Sequence, residues 1–193
     1  MKLAIVDVGC GNIGSVGIAF GRFGIDPVVT GKAEAIGSAD KVVLPGVGAA
    51  GYAMERIAAL GLAPVLRGLR QPVLGICLGM QLLFESSEEE DTACLGLIAG
   101  RVRKLEPAPG RPVPHMGWSR LDVRDGSIGL RSGDYVYFAH SFACGSVPET
   151  VASADYGREI PAVVRSANRL GAQFHPERSG EAGARFLRAW LER

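Results

Sequence analysis

Apolar residues follow two different rhythms along the 193-residue chain. In the first half, short β-branched runs at residues 3–8, 27–30, 42–44 and 72–76 read as strands. Between them, residues 12–23, 52–69 and 80–86 carry apolar positions at three- and four-residue spacing, the period of a helix with one buried face. Strand and helix in alternation predict a mostly parallel central sheet with helices on both faces. The second half predicts strands at 100–104, 135–139, 151–156, 162–166 and 170–174. Short turns of Gly, Asp, Asn and Pro separate them, which suggests antiparallel pairing. A last helix over 180–191 places Phe186, Leu187 and Trp190 toward the core. The polar run 86–91 reads as a solvated loop. The expectation is an α/β fold in one domain spanning residues 1–193, with no internal repeat.

Composition narrows the function classes. Lysine and arginine number 21 against 20 acidic residues, so no surplus of positive charge exists to condense on nucleic acid or an anionic membrane. The four cysteines, Cys10, Cys77, Cys94 and Cys144, contain no CxxC pair, which argues against a zinc cage or a disulfide framework and fits a reducing cytoplasm. Residues 3–8 are too short and too interrupted, by Asp7, for a signal peptide. No apolar stretch approaches the roughly 20 residues that cross a bilayer.

Chemistry concentrates around Cys77. Strand residues Val73-Leu74 run into Gly75-Ile76-Cys77-Leu78-Gly79 and then into the helical pattern Met80-Gln81-Leu82-Leu83-Phe84. That is the pattern of a nucleophile elbow, where a tight strand-to-helix turn thrusts one side chain forward and glycines let the backbones approach. The helix behind it is expected to aim its N-terminal amides at a thiolate and at the oxyanion formed by attack on a carbonyl. The competing reading is a buried small hydrophobe. Glycines two residues to either side serve no purpose in core packing, which favours the elbow. Cys10, Cys94 and Cys144 lack that context and read as structural.

A cysteine that cleaves an amide needs a base near neutral pH, and only His115, His140 and His175 are available. His175 ends the predicted strand 170–174 and is followed by Pro176-Glu177. In an extended segment residues i and i+2 point the same way, so Glu177 is placed to orient the imidazole. His115 and His140 read as structural or surface residues.

Gly9-Cys10-Gly11-Asn12-Ile13-Gly14 matches the G-x-G-x-x-G fingerprint after a strand. A dinucleotide site would also place an acid at the end of the second strand to hold the ribose hydroxyls. That stretch reads Val28-Val29-Thr30-Gly31-Lys32, without one. The glycines read more simply as a tight turn.

Taken together, Leu44-Pro45-Gly46-Val47-Gly48, the segment from Gly75 to Phe84, His140-Ser141-Phe142 and Gln173-Phe174-His175-Pro176-Glu177 resemble the class I glutamine amidotransferases. Asp7 to Asn12, Val113-Pro114-His115-Met116-Gly117-Trp118 and Pro176-Glu177-Arg178-Ser179-Gly180 are similar to the branch that supplies ammonia to a (βα)8-barrel cyclase in histidine biosynthesis. The resemblance covers nearly the whole chain. It implies a catalytic triad of Cys77, His175 and Glu177 and an oxyanion hole from the amides of Val47 and Leu78. It implies glutamine contacts at Gly48, Gln81, Ser141 and Phe142, and a cyclase-facing surface at Asn12, Trp118 and Arg178. Partner and substrate are then the cyclase, in a heterodimer, and glutamine, with no metal or organic cofactor. Three positions depart from the pattern: Arg178 stands where lysine is expected, Phe142 where tyrosine is expected, and Cys10 is unusual in its turn. Other glutaminase branches, a cysteine peptidase and a nucleotide-binding module remain the alternatives.

Overall fold

The computed structural model describes residues 1–193. The first half runs β1 (Leu3–Val6), α1 (Ile13–Gly21), β2 (Val28–Thr30), α2 (Ala33–Gly37), β3 (Lys41–Gly46), α3 (Ala50–Ala59), α4 (Leu62–Gly68), β4 (Val73–Cys77) and the single turn α5 (Leu78–Gln81). The second half adds β5 (Phe84–Ser87), β6 (Thr92–Ala93), β7 (Ile98–Lys104), β8 (His115–Val123) and β9 (Tyr135–His140). It continues with β10 (Phe142–Cys144), β11 (Thr150–Asp155), β12 (Glu159–Ser166), β13 (Arg169–Ala172) and α6 (Gly180–Leu191).

A nine-stranded sheet in the order β2-β1-β3-β4-β13-β12-β11-β8-β9 forms the body, with a four-stranded sheet β10-β7-β5-β6 beside it. Pairing is parallel from β2 to β13 and antiparallel from β13 to β9, the mixed α/β arrangement the sequence implied. Alternate residues of β1 explain the two-sided burial. Leu3 and Ile5 face a core with Phe20 of α1 and Phe186 and Trp190 of α6, while Ala4 and Val6 face one with Ile57 of α3 and Leu62 and Leu66 of α4.

Several elements differ from the expectations above. Residues 52–69 form two helices, because Gly61 takes a left-handed conformation (φ 65°) and ends α3 before α4 begins. The helix expected over 80–86 is one turn, after which Phe84 starts a strand paired with Ile98. There a fully buried phenylalanine and tertiary pairing override helix propensity. The polar run 86–91 closes the hairpin between β5 and β6 rather than forming a free loop. Helix α2 and the nine-residue β8 went unpredicted.

Close approach of β3, β4 and α5 depends on glycine. A Cβ on Gly79 would sit 1.7 Å from the Leu44 carbonyl oxygen, and one on Gly75 would sit 2.6 Å from that of Gly79. We expect Gly79→Ala to cost more than about 3 kcal/mol, read as a lowered urea midpoint. Gly17→Ala, in the interior of α1 with its nearest neighbour 4.0 Å away, should instead stabilise by up to about 1 kcal/mol. Equal effects from the two substitutions would contradict this account.

Candidate active site

Cys77 ends β4 and immediately precedes α5, with φ 52° and ψ −109°, a backbone conformation that side chains rarely adopt. The parallel register sets Gly46 beside it on β3, and on the other side Ile76 pairs with Ala172 at the end of β13. The nucleophile candidate therefore sits in the crevice beyond the carboxyl ends of three parallel strands. Since α5 has only four residues, the long helix dipole expected there is absent and only local amides remain. Past β3, Val47 is exposed and Gly48 has φ 97°, and neither backbone N–H donates to a protein acceptor.

His175 follows β13 and is held from its backbone. Its N–H donates to the Tyr137 carbonyl at 2.9 Å, and its own carbonyl accepts from the Ser179 hydroxyl at 2.7 Å. That hydroxyl also accepts from the Tyr137 N–H at 3.0 Å, so β9 grips the turn twice. Nδ1 of His175 lies 2.8 Å from Oε1 of Glu177. The contact does not arise from extended alternation as expected. Pro176–Arg178 is a tight 3-10 turn that folds Glu177 back, and a Cβ at Gly183 would lie 2.0 Å from the Pro176 carbonyl, so α6 presses directly on that turn. The Glu177 carboxylate is wholly buried; Oε1 also accepts from the Asn12 amide at 3.3 Å, and Oε2 has no hydrogen-bond partner. The glycine-rich turn at residues 9–14 thus delivers Asn12 to a carboxylate.

Burial is the largest single influence on His175 and lowers its proton affinity, but hydrogen bonds and charge from Cys77 and Glu177 together outweigh it and raise the pKa to about 10. His115 and His140 go the other way. Burial holds His115 down at about 4; burial, with neighbouring positive groups, holds His140 at about 3 despite its bond to the Phe142 carbonyl. Burial pushes the thiols of Cys94 and Cys144 up to about 11 and about 12, and that of Cys10 upward as well, so none of the three offers a thiolate near neutral pH.

A cavity of about 330 Å³ opens over Cys77, with Val47, Gly48, Leu78, Gln81, Ser141 and Phe142 in its wall. The backbone of Phe142 is partly engaged: its carbonyl accepts from Gln81 Nε2 at 2.8 Å and from His140 Nδ1 at 2.8 Å. Gln81 Nε2 also donates to Gln173 Oε1 at 3.1 Å, which leaves only its Oε1 to face a ligand. Gln173, fully buried, then turns its Nε2 to the Cys77 sulfur at 3.8 Å.

Two residues escaped the sequence reading. Gln173 was named only within the segment from Gln173 to Glu177, with no role of its own, and the apolar strand pattern before it gives no hint of a polar contact. Glu89 is the only carboxylate in the cavity wall, and its Oε2 caps the start of α3 through the Ala50 N–H at 2.8 Å. Its acidic neighbourhood was the available signal, masked by the loop reading of residues 86–91. On the outer face of β8 and β9, Met116, Trp118 and Tyr135 are 63%, 55% and 56% exposed, so Trp118 is a surface aromatic and not a core one. Arg178 is exposed and Asn12 half-buried at the same end of the molecule as the cavity. No group of three or more His, Cys, Asp or Glu side chains is gathered for a metal ion.

Comparison with known proteins decides the family. The profile described as "Glutamine amidotransferase class-I" matches residues 13–192. The chain belongs to that family. Among this amidotransferase's relatives, the imidazole glycerol phosphate synthase subunit HisH of Xanthomonas axonopodis pv. citri is 50% identical over 98% of this chain and 96% of its own. The protein of the same description from Xylella fastidiosa strain Temecula1 is 49% identical over 99% and 97%. These identities place the amidotransferase in the HisH branch. Solved structures share its fold. One described as a glutamine amidotransferase superposes with a TM-score of 0.79 at 22% identity, covering 100% of this chain and 98% of that one. PurLQS from Thermotoga maritima gives 0.72 at 22% identity over 99% and 97%.

A histidine whose proton affinity rises on folding stabilises the folded amidotransferase fully below the ordinary value near 6.5, and that contribution is lost as pH climbs toward 10. We expect nitrogen NMR to find the His175 ring still protonated at pH 8, and Cys77→Ala to bring its titration down toward neutrality. A ring already neutral at pH 8 in the unmodified protein would overturn the assignment.

Proposed function

We propose that this glutamine amidotransferase subunit hydrolyses glutamine through a thioester on Cys77 and passes the ammonia to a (βα)8-barrel cyclase, which forms imidazole glycerol phosphate and AICAR in histidine biosynthesis. The observation that carries the reading is the strained elbow that presents Cys77 to a cavity of about 330 Å³, with hydrogen bonding and charge from Cys77 and Glu177 raising the proton affinity of His175.

In this reading the Cys77 sulfur attacks the side-chain amide carbon of glutamine. The amides of Val47 and Leu78 receive the developing oxyanion; the Val47 N–H has no competing acceptor, and Gly46 and Gly48 let that peptide reorient at low steric cost. His175 gives its proton to the departing ammonia, Glu177 and Asn12 keep the ring oriented, and the C–N bond breaks to leave the thioester. Water then loses a proton to His175 and attacks the thioester carbon. The C–S bond breaks, glutamate leaves, and the thiolate and imidazolium are restored. Glu89 and the free Oε1 of Gln81 suit the substrate's α-ammonium, and the Gly48, Ser141 and Phe142 backbone lies beside them.

The exposed apolar face of Met116, Trp118 and Tyr135, with Asn12 and Arg178 nearby, fits the cyclase partner in a heterodimer. Arg178 offers a planar bidentate donor where the branch is expected to use lysine, so any ion pair there takes a different geometry. The reading treats residues 1–193 as one amidotransferase domain acting in the cytoplasm, with no cofactor; no helix is long and apolar enough to cross a membrane.

Cys77→Ala should abolish glutamine-dependent product formation by the complex while ammonia-dependent synthesis persists, since free ammonia bypasses the thioester. Loss of both activities would make the residue structural. The subunit alone should release little ammonia from glutamine, and adding the cyclase with its nucleotide ligand should raise that rate at least tenfold, followed by coupled glutamate detection. Full turnover without any partner would contradict the assignment.

A further inference from the structure

Two buried histidines that play no part in the triad stand directly opposite each other. His115 on β8 and His140 on β9 are cross-strand partners in antiparallel register, 2% and 5% exposed. Nδ1 of His115 lies 3.1 Å from Nε2 of His140. Beyond them, His140 Nδ1 is 2.8 Å from the Phe142 carbonyl oxygen, and His115 Nε2 is 2.8 Å from the Ser119 hydroxyl.

The chemistry of the ends fixes every proton between them. A carbonyl only accepts, so His140 carries its proton on Nδ1. In the neutral ring its Nε2 must then accept, so His115 Nδ1 donates to it, and His115 Nε2 in turn accepts from Ser119. Both rings are neutral because burial disfavours their charged forms and no carboxylate is bonded to either. His115 is further clamped between the rings of Tyr156 (3.8 Å between centroids) and Phe138 (4.7 Å), and the Tyr156 hydroxyl is tied to the Pro112 carbonyl.

The Phe142 carbonyl at the inner end is not idle. It orients Gln81, which orients Gln173, which reaches the Cys77 sulfur. We propose that His115 and His140 are positioning residues for the glutaminase site: a one-directional relay from Ser119 that fixes the Phe142 carbonyl and, through Gln81 and Gln173, the wall of the glutamine pocket beside Cys77. The relay rests on the glutaminase reading above. Its outer end, Ser119, lies on the same inward-facing side of β8 as His115, opposite the exposed Trp118.

The relay sets pocket shape and not bond-making, so its loss is read in substrate binding. In the complex with cyclase, His140→Ala should raise the KM for glutamine about tenfold, the size of one lost hydrogen bond in a buried network, while kcat falls less than threefold. His140→Asn, whose Nδ2 keeps a donor toward Phe142, should recover most of that loss, although both substitutions remove the imidazole ring and its Nε2 acceptor. Ser119→Ala should raise KM two- to threefold. Nitrogen NMR of the wild-type chain should find both rings as Nδ1–H tautomers, neutral from pH 8 down to pH 5. Either ring in the Nε2–H form, or Ala and Asn at position 140 giving the same KM, overturns the relay. A wild-type complex that cannot use glutamine at all would instead overturn the glutaminase reading, and the tautomers would still be measurable on the isolated chain.

Discussion

The rest of the site depends on one backbone conformation, that of Cys77 at φ 52° and ψ −109°. Holding a side-chain-bearing residue there costs on the order of 1–3 kcal/mol, and it persists only when its surroundings leave no alternative. Here they leave none. Strand pairing on both sides fixes the end of β4, and glycines at positions 75 and 79 let α5 press onto β3 and β4 where any Cβ would collide with a carbonyl. Relaxing Cys77 into ordinary strand geometry would carry Leu78 away from Gly46, whose own Cβ would meet Leu78 at 2.9 Å. The strain at Cys77 is thus held in place by packing that the large core supplies.

Topology then brings His175 to the edge that holds Cys77. β13 comes nearly a hundred residues after β4 yet pairs with it in parallel, so the two strands end side by side and Cys77 and His175 extend from the same edge. The antiparallel half curls back far enough that β9, at the far end of the nine-stranded order, hydrogen-bonds the backbone of His175 and brings the Ala139 carbonyl within 3.9 Å of the Cys77 sulfur. Cys77 and His175 are therefore pinned from both halves of the sheet. Asn12 adds a third anchor from the turn before α1, and this gives the fingerprint-like glycines a purpose unrelated to phosphate: they free the chain to place an amide on Glu177.

Much of this was legible in the residues. Helix α6 runs over 180–191 as its periodicity required, and the β-branched runs fell on β1 to β4 because a two-sided parallel sheet demands continuous apolar strands. The elbow was legible because its glycines have no other use. The failures share a cause. β8 buries His115 and Leu121 while Met116, Trp118 and Arg120 face outward, so an exposed surface patch broke the alternation that marks a strand. Phe84 continues a helical pattern through Leu82 and Leu83 but is claimed by β7, a contact that no local rule contains. Gln173 and Glu89 reach the site only because strands distant in sequence meet there. Pairwise chemistry within a few residues was readable; chemistry assembled by the sheet was not.

The three histidines carry that lesson to the level of charge. All three are buried, so burial alone would leave all three neutral. His175 departs because hydrogen bonding and charge from Cys77 and from Glu177, whose Oε1 lies 2.8 Å from Nδ1, together give its second proton more than the ring loses by leaving water. His115 and His140 face a hydroxyl, a carbonyl and each other, which satisfy a neutral ring completely and offer a charged one no negative charge to offset its burial. A proton added to His140 Nε2 would set donor against donor between the two rings, and one added to His115 Nε2 would meet only the Ser119 hydroxyl, with no negative charge to offset its burial. The same side chain thus has its charged form favoured in one place and becomes a fixed, directional spacer in another. The difference comes from the groups that β4, β8, β9 and β13 bring against each ring.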